Sequence, residues 1–167
     1  LYVVLGDADS AATTYRTASA LAPGLGSLYL NLGVAEMLRG NQDAALQAFQ
    51  ANEASLADPS VGGPLVGTAQ RAYFYGKLGR SEDVAQEIAR LRQRDADGTV
   101  PAAFWTLAYM GLSEYETALE YLRSAIVERE YLTWTLTMIR ANGYQDPVLD
   151  SDPRWIEARS LIGVSDE

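Results

Sequence analysis

Apolar residues recur with a helical period along most of the chain. In residues 41–55, for example, Ala45, Leu46 and Phe49 share one face at 3.6 residues per turn. No segment shows a convincing alternation of apolar and polar residues, the pattern typical of a strand. We therefore predict an all-α fold. The predicted helices are residues 7–21, 27–39, 41–55, 65–78, 81–94, 100–112, 114–128, 132–141 and 152–162, and residues 1–5 read as the end of an earlier helix.

Helix-breaking and helix-capping residues separate these segments. Gly40 and Gly79 follow predicted helices, at the position where glycine commonly closes the last turn. We expect Ser27 to cap the helix 27–39 at its N-terminus. We also expect Asp152 to cap the last helix, with Pro153 in its first turn.

The predicted helices repeat as pairs. Gly6, Gly40, Gly79 and Ser113 are separated by 34, 39 and 34 residues. A recurrence near every 34 residues indicates helix pairs that stack, because one pair cannot bury its apolar face alone. The longer interval contains residues 60–64, where we predict a looser joint between stacked pairs. A small and then a large apolar residue keep the same phase: Ala11, Ala45, Val84 and Ala118, then Tyr15, Phe49, Ile88 and Leu122.

One unit resembles the tetratricopeptide repeat closely. Residues 29–33 contain the leucine-glycine pair of that family, and Gly40, Ala45, Phe49 and the Asp-Pro ending at 58–59 follow in its order. The resemblance implies an α-α superhelix of antiparallel helix pairs in one domain. Small residues at the helix centres let the two helices of a pair approach, and the large residue fills the space between pairs. The units are 1–23 (the second half of a repeat), 27–59, 65–95, 99–128 and the C-terminal capping helices 131–167.

The later units depart from the family pattern. Arg71 stands where the family has leucine, and Val84 stands where it has alanine. Trp105 and Thr106 replace the leucine-glycine pair, and Ser113 replaces the turn glycine. These departures leave the pitch of the superhelix undetermined, and they affect the predicted architecture less.

The C-terminal region has a resemblance of its own. Residues 118–122, 146–149, 152–155 and 161–163 look like the end of certain bacterial multidomain signalling proteins. In those proteins a repeat array follows a nucleotide cyclase, a protein kinase or a winged-helix DNA-binding domain. This resemblance and the half repeat at the start imply a regulatory or sensory part of a longer bacterial protein.

In the tetratricopeptide family the first helix of each pair lines a concave groove, and this implies a set of binding residues. The lining would suit an apolar or amphipathic protein segment, with Tyr73 and Phe104 as anchors. Internal packing, or cover by the protein's own tail, is the alternative for these positions. A carboxylate clamp is rejected because only Asn31 and Lys77 could contribute to it. The implied groove residues are Leu30, Asn31, Val34, Met37, Leu38, Val66, Gln70, Tyr73, Lys77, Ala103, Phe104, Leu107 and Met110.

Composition removes several classes of function. The 167 residues are 48% apolar, which suits a folded domain, and they contain no His and no Cys. The commonest general base, cysteine nucleophiles and thiolate zinc sites are therefore excluded, so we expect no enzyme, metal or cofactor. The net charge is −9 with a single lysine, which argues against nucleic acid and anionic membranes as partners. No apolar run approaches the ~20 residues of a membrane span, so we expect no membrane insertion.

The C-terminal part offers the remaining candidates. Trp134, Trp155 and their apolar neighbours favour a cap on the last helix pair, with self-association as a homodimer as the alternative. The aspartates at 146, 150 and 152 are explained by Asp-Pro turns and an N-cap better than by Ca²⁺. The glutamates between 114 and 130 form a solvated face, or else steer a basic partner. We expect a cytoplasmic protein, or a periplasmic one if an upstream signal or anchor is missing.

Overall fold

The structure, a computed structural model, describes residues 7–56, 64–96, 98–128 and 147–161. Over these ranges every regular element is a helix, which confirms the predicted all-α class. The predicted helices 1–5 and 132–141 lie outside the described residues. The helices are α1 (Ala8–Leu21), α2 (Gly26–Leu38), α3 (Gln42–Ala54), α4 (Leu65–Lys77), α5 (Ser81–Arg94), α6 (Ala102–Gly111), α7 (Tyr115–Val127), α8 (Pro147–Asp150) and α9 (Pro153–Leu161).

For the predicted helices that the structure describes, the observed ends agree with the predictions to within two residues, but two details differ. The α2 helix begins at Gly26, so Ser27 lies in its first turn and the prediction of Ser27 as the N-cap is wrong. Leu25 occupies the cap position without a side-chain hydrogen bond. The one-turn helix α8 follows directly on Asp146, where only an Asp-Pro turn was predicted.

Three turns between paired helices share one backbone conformation. Gly40, Gly79 and Ser113 have φ values of 74°, 70° and 60°, in the left-handed region. In each turn the next residue donates its backbone N–H to a carbonyl five residues earlier, as Asn41 does to Glu36 at 2.9 Å. Such short connections reverse the chain and produce antiparallel helix hairpins. Ser113 therefore adopts the conformation that glycine has in the other two turns, at the position where the resembled family has glycine.

The hairpins stack in chain order. The α2 helix packs on α3, α4 on α5, and α6 on α7. Between hairpins, α1 packs on α2, and α4 packs extensively on α6, whereas α2 meets α4 over a smaller area. At the C-terminal side α9 packs on α7.

Gly33 and Phe49 produce the close packing that the repeat pattern predicts. A Cβ atom at Gly33 would overlap the ring of Phe49, so the absence of a side chain lets α2 and α3 approach. The Phe49 ring is fully buried and stacks on Phe74 of the next hairpin at 4.9 Å between centroids. It also meets the edge of Tyr75 at 6.1 Å. The large residue thus fills the space between pairs, as predicted.

A second glycine contact joins α4 to α6. A Cβ atom at Gly76 would overlap the carbonyl oxygen of Gly111, and one at Gly111 would overlap the carbonyl oxygen of Ala72. The two helices therefore touch backbone to backbone near their C-terminal ends. No side chain can be added at either glycine without moving one helix.

Candidate functional site

The structure divides the predicted groove residues into two groups. For the buried group, internal packing is favoured over contact with a partner, because their side chains expose less than a tenth of their surface. For the half-buried group, the groove stays a prediction. The buried residues are Leu30, Val34, Gln70, Tyr73, Ala103, Leu107 and Met110; the half-buried ones are Asn31, Met37, Leu38, Val66, Lys77 and Phe104.

The two predicted anchors differ in the same way. Tyr73 is only 2% exposed, and its ring meets that of Phe74 at a centroid distance of 5.5 Å. The ammonium group of Lys77 lies 5.4 Å from the centre of the Tyr73 ring. Phe104 remains half-buried. Replacing Tyr73 with alanine would therefore disturb the fold before it reported on binding.

Trp155 lies on the last helix, α9. It is 4% exposed and is buried together with Leu149 and Ala158. This burial favours the capping interpretation of Trp155 over its use in self-association. Trp134, the other tryptophan of that hypothesis, lies outside the described residues.

Arg154 on α9 links this helix to α7 through side-chain hydrogen bonds. Its guanidinium donates two parallel hydrogen bonds to Glu116, both at 2.9 Å, and two more to Asp152 at 2.7 and 3.0 Å. These bonds lower the pKa of Asp152 to about 2 and also lower the pKa of Glu116. Asp152 additionally accepts the backbone N–H of Arg154 at 2.8 Å, which confirms its predicted role at the start of the helix.

An open groove runs between α7 and α9. We call it the α7–α9 groove; its volume is about 600 Å³. Val127 and Leu161 on its walls expose 74% and 61% of their surface. The groove offers an apolar surface that no described part of the chain covers. Its lining residues are Leu119, Glu120, Leu122, Arg123, Ile126, Val127, Arg154, Glu157, Ala158 and Leu161.

A buried ion pair lies at the junction of the first two hairpins. Arg71 on α4 is 0% exposed and donates to both carboxylate oxygens of Glu87 on α5, at 3.0 and 2.9 Å. Its third bond, at 2.9 Å, reaches the side-chain oxygen of Asn52 on α3. Asn52 in turn donates to the backbone carbonyl of Gly26 at 2.8 Å.

Arg90 extends this network to the edge of the core. It donates to Glu87 at 2.5 Å and forms a salt bridge with Glu53 on α3. Two guanidinium groups thus face two carboxylates across helices α3, α4 and α5. Burial raises the pKa of Glu87 above its ordinary value of 4.5, against the opposing influence of Arg71. Since Arg71 and Glu87 are closed off from solvent, the arrangement joins hairpins and offers no surface to a substrate.

A second buried carboxylate ties α1 to α2. Glu36 is 1% exposed and forms salt bridges with Arg16 on α1 and with Arg39 at 2.8 Å. Arg39 also reaches Asp9 on α1 at 2.6 Å. The contact between the half repeat and the first full hairpin is therefore partly ionic.

Stacked aromatic rings occupy the α6–α7 contact. Trp105 packs on Tyr121 with centroids 5.9 Å apart, and Tyr121 stacks on Tyr109 at 5.5 Å. Trp105 is only 5% exposed. Trp105, which stands where the resembled family has leucine, is thus a packing residue whose ring contacts those of Tyr109 and Tyr121.

The sequence contained a signal for the ionic network and none for the groove. Arg71 is a charged residue at an apolar position of the repeat pattern, and such a residue requires a partner when it is buried. The partner Glu87, sixteen residues away, could not be identified without the hairpin geometry. The α7–α9 groove depends on the angle at which α9 packs, and no residue pattern specifies that angle.

Among the described residues, no helix has the length and apolarity to cross a lipid bilayer. No described cluster of three or more acidic side chains could hold a metal ion. Comparison of the chain with known protein families, with curated proteins and with solved structures gives no match.

Proposed function

We propose that this chain is a non-catalytic protein-binding module in the regulatory or sensory part of a larger bacterial protein. It binds an apolar or amphipathic segment of another protein or of its own upstream region. The observation that supports this function is the open, apolar α7–α9 groove. We place the main docking surface there and not on the concave face, because the predicted anchor Tyr73 is buried.

The groove suits a short amphipathic helix. Ile126 and Val127 on α7 and Leu161 on α9 are the apolar lining residues that expose surface to a partner. Leu119 and Leu122, in contrast, are 4% and 2% exposed and pack internally. A helix that lies along such a groove contributes apolar residues at positions i, i+3, i+4 and i+7. Each such side chain contributes roughly 1.5–3 kcal/mol when buried, and association costs on the order of 4–15 kcal/mol. We therefore expect an affinity in the micromolar range or weaker, as is common for a switchable regulatory contact.

A designed peptide tests the proposal. The probe is a fluorescent amphipathic helical peptide with leucines at the four positions above, and the readout is fluorescence anisotropy. Val127→Asp with Leu161→Asp places charges in the groove and should weaken binding at least tenfold. The control is Leu21→Asp with Leu25→Asp, because these leucines are comparably exposed, at 82% and 57%, but lie at the α1–α2 connection. Circular dichroism verifies the helix content of all variants.

Equal weakening by both pairs of substitutions would mean that the peptide binds apolar surface without a specific site. No binding to the unmodified protein would remove the proposed function for this groove.

Self-association is the second candidate, supported by a separate observation. Large apolar side chains are exposed at both ends of the described array, at Leu21 and Leu25 and again at Val127 and Leu161. Two copies could therefore join end to end. Light scattering over a concentration series tests this arrangement: the Leu21 and Leu25 substitutions should then lower the apparent mass. A constant monomer mass at every concentration contradicts it.

A further inference from the structure

We infer that the α7–α9 groove selects an apolar segment flanked by Lys or Arg over the same segment flanked by Asp or Glu. This inference rests on the proposed function and adds the charge of the partner to it. It is based on the described charged side chains around the groove, which include more negative than positive groups.

Among the side chains that the structure describes at this surface, carboxylates outnumber guanidinium groups. Glu120 and Glu157 line the groove and are exposed. Glu116 and Asp152 lie beside the groove, and both accept hydrogen bonds from Arg154. The described side chains thus include four carboxylates and two guanidinium groups, those of Arg154 and Arg123.

Arg154 attracts an acidic partner little, because its charge is already used. Its donors form two bonds to Glu116 and two to Asp152, so the three side chains together carry a net negative charge. The lowered pKa values of both carboxylates keep them ionised at neutral pH. Arg123 is then the one remaining described cation in the lining, opposed by Glu120 and Glu157.

The expected selectivity is modest and depends on salt. Two or three exposed charge pairs, each of small effect alone, together change affinity roughly three- to tenfold. Salt screens exposed charges over about 10 Å at 0.1 M, so the preference should shrink as ionic strength rises.

Two peptides with one leucine stripe test the inference. They have the same length and differ only in flanking residues, lysines in one and glutamates in the other, and anisotropy is measured at low and high salt. Tighter binding of the lysine peptide at low salt, roughly three- to tenfold, with a smaller difference at high salt, supports the inference. Equal affinities overturn it and leave the proposed function standing. Tighter binding of the glutamate peptide overturns it as well, and binding of neither peptide overturns both.

A pair of matched variants assigns the preference to the groove. Glu120→Gln with Glu157→Gln removes two carboxylates from the lining and should abolish most of the preference. Asp43→Asn with Glu82→Gln removes the same charge from exposed positions on α3 and α5. If this control reduces the preference equally, the net charge of −9 and not the groove is responsible, and the inference falls.

Discussion

Arg71→Leu restores the residue type of the resembled repeat family at a fully buried position, and yet we expect it to destabilise the protein. The substitution leaves Glu87, which is 1% exposed, without the fork of two hydrogen bonds from Arg71. Among the described side chains, only Arg90 then reaches that carboxylate, through a single oxygen. The side-chain oxygen of Asn52 also loses its guanidinium donor.

The magnitude follows from the cost of a buried charge whose partner is removed. Breaking a buried ion pair from one side costs about 3–5 kcal/mol. This is a large share of the roughly 5–15 kcal/mol by which a domain is stable. Replacing both partners, Arg71→Leu with Glu87→Leu, removes the charge and its need for a partner, so it should cost far less than Arg71→Leu alone.

Urea unfolding followed by circular dichroism measures these differences. With an m-value of about 2 kcal/mol/M, Arg71→Leu should lower the midpoint by about 2 M. The control Arg123→Leu changes an exposed arginine and should stay within about 0.5 kcal/mol of the wild type. If Arg71→Leu alone fails to fold, the double variant still tests the argument, because it should fold.

The pH dependence gives a separate check on Glu87. Its pKa in the folded state is raised above 4.5, so folding takes up a proton in the range above that value, and stability decreases as the pH rises through it. Without Arg71, which lowers this pKa, the pKa should rise further. The loss caused by Arg71→Leu should therefore be smaller at about pH 5.5 than at about pH 7.5. A loss below about 1 kcal/mol at both values would refute the idea that Glu87 is held as a buried charge.

Three further predictions concern the turns, the helix contacts and the last helix. Ser113→Gly should stabilise the protein by about 1 kcal/mol in urea unfolding, because a left-handed residue with a side chain is strained. Gly111→Ala should destabilise it by roughly 1–3 kcal/mol, since the added methyl meets a carbonyl oxygen of α4, whereas Gly24→Ala, with open space around it, should be neutral or stabilising. Arg154→Gln should return the pKa of Asp152 from about 2 towards 3.8 in an NMR titration; the stabilisation from this carboxylate is present above pH 3.8 and is lost as the pH falls towards 2. An unchanged pKa would show that Arg154 does not hold Asp152.

The helices and turns were predicted well, because the breakers and turn residues that delimit them act within a few residues. The helices of the first full hairpin are bounded by breakers, and Gly40 closes the turn between them in the left-handed conformation. Gly33 and Phe49 meet as the repeat pattern implies, since that contact follows from their place on paired helices. The prediction of Ser27 as the cap is wrong because the cap position lies two residues earlier, at Leu25, whose side chain has no oxygen to accept a hydrogen bond.

Predictions that depend on the angle between helices were weaker. The groove residues were predicted from their position on the first helix of each pair. That position alone does not show whether a side chain faces a partner or packs in the core. Tyr73 and Met110 lie on such helices and are both buried. The close contact of α4 with α6, set by Gly76 and Gly111, is a tertiary feature that the repeat pattern did not contain.

The departures from the repeat pattern are best understood as local replacements of one means of packing by another. Arg71 stands where the resembled family has leucine, and it forms an ion pair with Glu87 on α5 and a hydrogen bond with Asn52 on α3. This occurs where the first two hairpins meet over a smaller area, whereas α4 and α6 need no such pair because their backbones touch. A leucine contact is not directional, but a forked guanidinium donates hydrogen bonds to its partners in one orientation. We therefore expect the double leucine variant to remain folded while the angle between the first two hairpins becomes less well defined, a change that distance measurements between labels on α3 and α5 would detect. An unchanged distance distribution would mean that apolar packing alone fixes this joint.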